Sequence, residues 1–186
     1  MNPYENCPVF ENETYLLRLV EAADAPDLLT VYSDEKAWPI FNADNCTGNF
    51  RITTLERMER AVSMWLHSYQ IHDFVRWTIY DKCAKKAVGT IELFNRKAED
   101  YFNDCGLLRL DLRSDYENAA DISEIISLIL LPTFDMFSCQ MIATKIVPVA
   151  RERKNAFEAF GFTASAEKLV GGHDGKIYTD YYVLKK

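Results

Sequence analysis

Apolar and polar positions along this chain follow two periods, and the order in which they alternate points to a layered α/β fold. Thr14 to Val20 (TYLLRLV) is apolar enough for a first strand, and Asp24 with Pro26 supplies start signals for a short helix through Leu28, Leu29 and Tyr32. The segment from Ser33 to Phe50 carries Pro39, Gly48 and several Asn and Asp, and reads as irregular. Thr53 and Glu56 form a capping-box pattern for a second helix with an apolar face of Leu55, Met58, Val62, Trp65, Leu66 and Tyr69.

Period two then takes over. Phe74 to Tyr80 (FVRWTIY) alternates, the polar turn DKCAKK follows, and Ala87 to Phe94 (AVGTIELF) reads as its hairpin partner. A polar excursion, Asn95 to Asp104, leads to a strand from Gly106 to Leu112 (GLLRLDL). Ile122, Ile125, Ile126, Ile129 and Leu130 make a helical stripe that Phe134 and Phe137 extend beyond Pro132, so a kink is expected there rather than a stop. Met141 to Val147 is a β-rich run ended by Pro148, and Ala156, Phe157 and Phe160 restore helical spacing. Gly161 fits the left-handed residue that closes a helix. A strand from Phe162, the loop GGHDGK and a strand Ile177 to Leu184 complete the order β-α-α-β-β-β-α-β-α-β-β. Residues 1–12 read as a lead-in, and no repeat or linker divides residues 1–186, so one domain is expected.

Composition narrows the function classes. A net charge of −7 argues against a nucleic-acid or anionic-membrane binder, which needs a basic face. The five cysteines are odd in number and scattered, without CxxC or Cys/His spacing, which reads as free thiols in a reducing compartment and no metal site. His67 and His72 lack carboxylate or Cys support for a metal, and His173 sits in a Gly-rich turn. Without a leader-like or membrane-length apolar run, a cytoplasmic location is expected.

The element order, together with the strand and helix of Gln140 to Phe162 (QMIATKIVPVARERKNAFEAFGF) and its terminal Gly-Phe, resembles the GNAT N-acetyltransferases. The resemblance is nearest to the branch that acetylates ribosomal-protein N-termini. It implies a mixed, mostly antiparallel sheet of about seven strands flanked by about four helices. It also implies transfer of an acetyl group from acetyl-CoA to a primary amine, of a small molecule or a peptide N-terminus, by direct attack, in a monomer or homodimer.

Carried onto this chain, the resemblance places the pantetheine against the backbone of Leu110 and Leu112. The phosphate loop then falls at Arg113 and at Asn118, Ala119, Ala120, Asp121 and Ile122. The family pattern has a basic residue or Gln, two residues, Gly, one residue, then Gly or Ala. Here Glu117 stands first, Ala120 replaces Gly and Ile122 the last small residue. Asp115, Glu117 and Asp121 suit a free helix N-terminus but repel a diphosphate, by about 1–3 kcal/mol per unit charge near 6 Å. In the second helix of the site Ala150 and Arg153 occupy the family's Asn and Ser positions, and Phe157 stands for the Tyr that protonates the leaving thiolate. Arg151, Arg153 and Lys154 crowd that helix start and are candidate phosphate ligands. Glu92 and Asp111, on central strands, are the candidate general bases. The departures admit a second expectation: a GNAT-fold protein that no longer catalyses and binds a protein or another ligand instead.

Overall fold

The structure, a computed structural model, describes residues 2–186. Ten strands and four helices follow one another as β1 (Phe10–Glu11), β2 (Tyr15–Leu19), α1 (Ala25–Tyr32), α2 (Leu55–Gln70), β3 (Val75–Asp81), β4 (Lys86–Arg96), β5 (Cys105–Leu112), α3 (Ala119–Met136), β6 (Met141–Lys145), α4 (Arg151–Ala159), β7 (Thr163–Ala164), β8 (Leu169–Val170), β9 (Ile177–Tyr178) and β10 (Tyr181–Lys185). The main sheet has the order β1-β2-β3-β4-β5-β6-β10-β7 and is antiparallel except where β5 runs parallel to β6. It is the expected mixed sheet, with eight strands rather than about seven, because Phe10–Glu11 of the lead-in pairs with Leu16 and Leu17.

Three differences from the sequence reading have local causes, whereas the passage of α3 through Pro132 is as expected. The N-cap of α2 is Thr54, whose hydroxyl accepts from the Arg57 N–H, so a single Thr54 cap stands in place of the capping box expected at Thr53 and Glu56. Leu55 thereby becomes the first helical residue and is 41% exposed, outside the apolar face. The run Ile177 to Leu184 is two strands, because Asp180 adopts a positive φ of 67° between them. Its first part pairs with Leu169–Val170 as a separate ribbon. α3 passes through Pro132 to Met136, which leaves the Leu128 carbonyl without its helical N–H donor. Gly161 has a φ of +89°, as its place after α4 requires.

Two helical layers cover the sheet. α3 and α4 bury Ile122, Ile125, Ile129, Ala156 and Phe157 against Leu108, Leu110 and Leu112, on the larger apolar side. On the other side α1 and α2 form a second cluster around Leu28, Tyr32, Met58, Val62 and Trp65. Because a helical layer covers each face, β3 is buried on both sides although its sequence alternates, and the charges it carries beneath α1 and α2 are buried with it. Between β3 and β4 the register slips at Ile79/Tyr80, so that Val88 is extra and Gly89 lies against β5. A Cβ on Gly89 would stand 2.3 Å from the Asp111 carbonyl oxygen, so only glycine permits this approach.

The feature that positions the site is a splay. β5 and β6 pair only over Gly106–Leu108 and Ile142–Thr144. β5 runs on to Leu112, while the Ile146 N–H turns to the Asp180 carbonyl and follows β10. Leu110 and Leu112 alternate with residues whose backbone faces β4, so their N–H and C=O groups face the opening.

Candidate functional site

A cleft of about 510 Å³ opens on the α1/α2 side of the central strands. Its floor is built by register. Arg76 of β3 lies beside Glu92 of β4, which lies beside Arg109 of β5; one step along, Thr90 lies beside Asp111. The Arg76 guanidinium bonds Glu92 through Nη2 and reaches Thr90 Oγ1 at 2.9 Å and Asp111 Oδ2 at 3.3 Å through Nη1. Arg109 Nη1 donates to Glu92 Oε1 at 2.5 Å, and Tyr32 of α1 donates to Asp111 Oδ2 at 2.9 Å. The Trp65 ring covers the Arg76 guanidinium at 4.2 Å. All four charged residues are below a tenth exposed.

The two candidate bases sit in opposite electrostatic conditions. Burial pushes the Glu92 carboxyl up, but Arg76 and then Arg109 more than offset this and hold it below the usual carboxylate range. Glu92 is therefore a counter-ion clamped between two guanidiniums, with little capacity to take a proton near neutrality. Asp111 is raised, because burial outweighs the Arg76 charge and the Tyr32 hydroxyl, and its Oδ1 has no hydrogen-bond partner. It does not border the cleft.

The roof is made of loops tied to this floor. The Asp44 carbonyl accepts from Arg109 Nη2 at 2.8 Å, while the Asp44 carboxylate takes Lys145 at 2.7 Å and the Tyr181 hydroxyl at 3.2 Å. Asn45 Oδ1 accepts the His173 N–H at 2.8 Å, which joins the loop after α1 to the Gly-rich turn. A second groove of about 700 Å³ adjoins the cleft and shares Asn45, Asp73, Phe94, Arg109 and His173 with it.

Across the sheet, the splay holds a second buried ion pair. Arg153, the third residue of α4, donates through Nη1 to the Leu110 carbonyl at 2.7 Å and pairs with Glu117 through Nε and Nη2. The two side chains are only 2% and 7% exposed. The start of α3 is likewise satisfied from within. Asn118 Oδ1 accepts the Asp121 N–H at 3.0 Å, and Glu152 of α4 accepts the Ala119 N–H at 3.1 Å. Asp121 itself accepts from Tyr15 and Asn118.

Leu110, Ala119 and Arg153 thus meet at one end of the splay with Glu117 and Glu152, while Asn118 and Asp121 hold the start of α3 and Ala150 is the buried residue that precedes α4. Leu112 adds its backbone to the same edge, and Ala120 and Arg151 lie exposed beside it. Arg113 turns away to form a fork with Asp115, Ile122 is buried beneath the helix, and Phe157 stacks edge-on against Phe162 at 5.0 Å in the core. As arranged, these residues do not fit a coenzyme. Glu117 holds the seat of an anion, Leu110 has given its carbonyl to Arg153, and two donors of α3, the Ala119 and Asp121 N–H groups, have carboxylate or amide acceptors. With Glu117 and Glu152 withdrawn, Arg153 and the free N–H of Ala119 would be a guanidinium and a helix terminus aimed at the same point, the donor set a diphosphate requires.

Sequence reasoning missed Arg76 and Arg109, and the part Tyr32 takes in the floor. Their signal was present: strands FVRWTIY, AVGTIELF and GLLRLDL each place ionisable groups within apolar runs, and buried charges of opposite sign must find each other. Among the described residues no cluster of three or more His, Cys, Asp or Glu is placed to hold a metal, and no helix is long and apolar enough to cross a membrane.

No family model and no curated protein matches the sequence. Solved structures do match. The ribosomal-protein-S5-alanine acetyltransferase from Vibrio fischeri superposes with a TM-score of 0.70 at 17% identity, covering 96% of each chain. A GNAT-family acetyltransferase from Bacillus anthracis gives 0.69 at 15% identity, over 96% of this chain and 98% of that one. A ribosomal L7/L12 α-N-protein acetyltransferase in complex with coenzyme A gives 0.70 at 13%, again over 96% and 98%. The chain has the GNAT acetyltransferase fold, and the structures similar to it include ribosomal-protein acetyltransferases, the branch its sequence resembles.

Proposed function

We propose that this protein is an acetyl-CoA-dependent N-acetyltransferase acting on a primary amine, and that the Arg153–Glu117 pair closes its coenzyme groove until it opens. The observation that carries this reading is the splay itself. It leaves the opening-facing N–H and C=O groups of Leu110 and Leu112 without a partner on β6 and sets a guanidinium beside them. The coenzyme would supply an activated thioester. The residues of this chain would do the rest: N–H groups on the exposed edge of β5 would stabilise negative charge developing on a carbonyl oxygen, and the cleft on the opposite side would hold the amine. Neither Glu92 nor Phe157 is suited to move a proton, so the amine would have to arrive neutral or lose its proton to water.

That last point favours a second reading, a GNAT-fold protein that binds a ligand in the cleft without transferring an acetyl group. Release of free thiol from acetyl-CoA in the presence of amines and short peptides, with mass spectrometry of the amine, separates the two. Wild-type protein is expected to turn over slowly, and Glu117→Gln at least several-fold faster. Absence of acetylated product from both proteins across the panel would leave only the binding reading.

A further inference from the structure

We infer that the cleft above Arg76 and Arg109 is built for a ligand carrying a carboxylate on an apolar body, which, under the transferase reading, makes the acceptor an amino acid or a peptide end rather than a simple amine.

The charge of the lining is opposite to that of the chain. Arg57, Arg60, Arg76 and Arg109 face two carboxylates, Asp73 and Glu92, in a protein of net charge −7. Glu92 is consumed inside the floor, since its two oxygens are shared between Arg76 and Arg109. Arg57 and Arg60 lie three apart on α2, so both project from one helix face at the cleft rim. The partner of Arg60 is Glu56 at 3.6 Å, both well exposed, a pair of little strength.

The floor also leaves donors over on the cleft-lining residues, while its unmatched acceptor, Asp111 Oδ1, lies away from the cleft. The Nε–H groups of Arg76 and Arg109 are buried without a hydrogen-bond partner, though both side chains are more than nine-tenths buried. Buried guanidinium donors are ordinarily matched, so two unmatched ones on residues that line the same cleft leave its floor with an excess of cationic donors. Between floor and rim the walls are aromatic: Phe50, Trp65, Phe74 and Phe94. A small hydrophilic anion would leave these walls wet, whereas a carboxylate on an aromatic or aliphatic body would cover them.

The test needs no coenzyme, so it fails or succeeds separately from the transferase reading. The probes are the dipeptide Ala-Phe and its C-terminal amide, which differ in one charge, titrated calorimetrically into the apo protein. The acid is expected to bind at least tenfold tighter than the amide and to weaken as salt is raised. The double variant Arg57→Gln/Arg60→Gln, altered only on an exposed helix face, is expected to lose most of that preference while keeping its melting temperature. Equal binding of acid and amide, no binding of either, or an unchanged preference in the rim variant would each overturn the inference. A carboxylate preference with no thiol release would sustain it and remove the transferase reading instead.

Discussion

Glu92→Gln is expected to lower stability by about 3–5 kcal/mol, because it removes the charge that Arg76 and Arg109 share across the floor of the cleft, leaving Arg109 without its carboxylate and Arg76 with Asp111 alone. For a chain of this length that is a fall in Tm of roughly 10 °C, readable by circular dichroism. The pH dependence gives the sign. Glu92 is depressed in the folded state below its ordinary value of 4.5, so between those two values the unfolded chain binds the proton first. Its contribution is complete above pH 4.5 and fades as pH falls through the folded value. The gap between wild type and Glu92→Gln should therefore be full at neutral pH and shrink in acid. Asp111, raised by burial, acts with the opposite sign and costs stability as it ionises. A Glu92→Gln protein as stable as wild type but inactive would show instead that Glu92 is the proton acceptor and not a structural counter-ion.

Arg153→Met should be the second large effect, about 3 kcal/mol by urea denaturation. The substitution removes the partner of buried Glu117 and a side-chain donor to the Leu110 carbonyl. The double variant Arg153→Met/Glu117→Gln is expected to recover about 1 kcal/mol or more of this, since both halves of the pair are then neutral. Strict additivity of the two single changes would mean that the pair does not hold the groove shut.

The fold was legible in the sequence because its signals are local. The isoleucine stripe of α3, the alternation in β3 and the Gly161-Phe162 ending each depend on neighbours within a few turns. What was not legible depends on distance or on single dihedral angles. A positive φ at Asp180 splits β9 from β10, and two-residue strands such as β1 and β8 are too short to carry a period. The site shows the same division. Glu117 and Arg153 each stood out as departures from a coenzyme loop, but they are 36 residues apart and only the splay of β5 from β6 brings them together. Glu92 stood out as a candidate base because it was visible on its own strand. That it is clamped by Arg76 and Arg109 required the cross-strand register.

If a carboxylate is standing in for a phosphate, removing its charge should admit the coenzyme. Calorimetric titration of acetyl-CoA into wild type, Glu117→Gln and Arg153→Met tests this most directly. Removing Glu117's charge near the diphosphate should gain about 1.4 kcal/mol, roughly a factor of ten in affinity. The account thus expects weak binding to wild type, binding about tenfold tighter to Glu117→Gln, and none to Arg153→Met. The same affinity in all three proteins, or no binding to any at millimolar coenzyme, would contradict it.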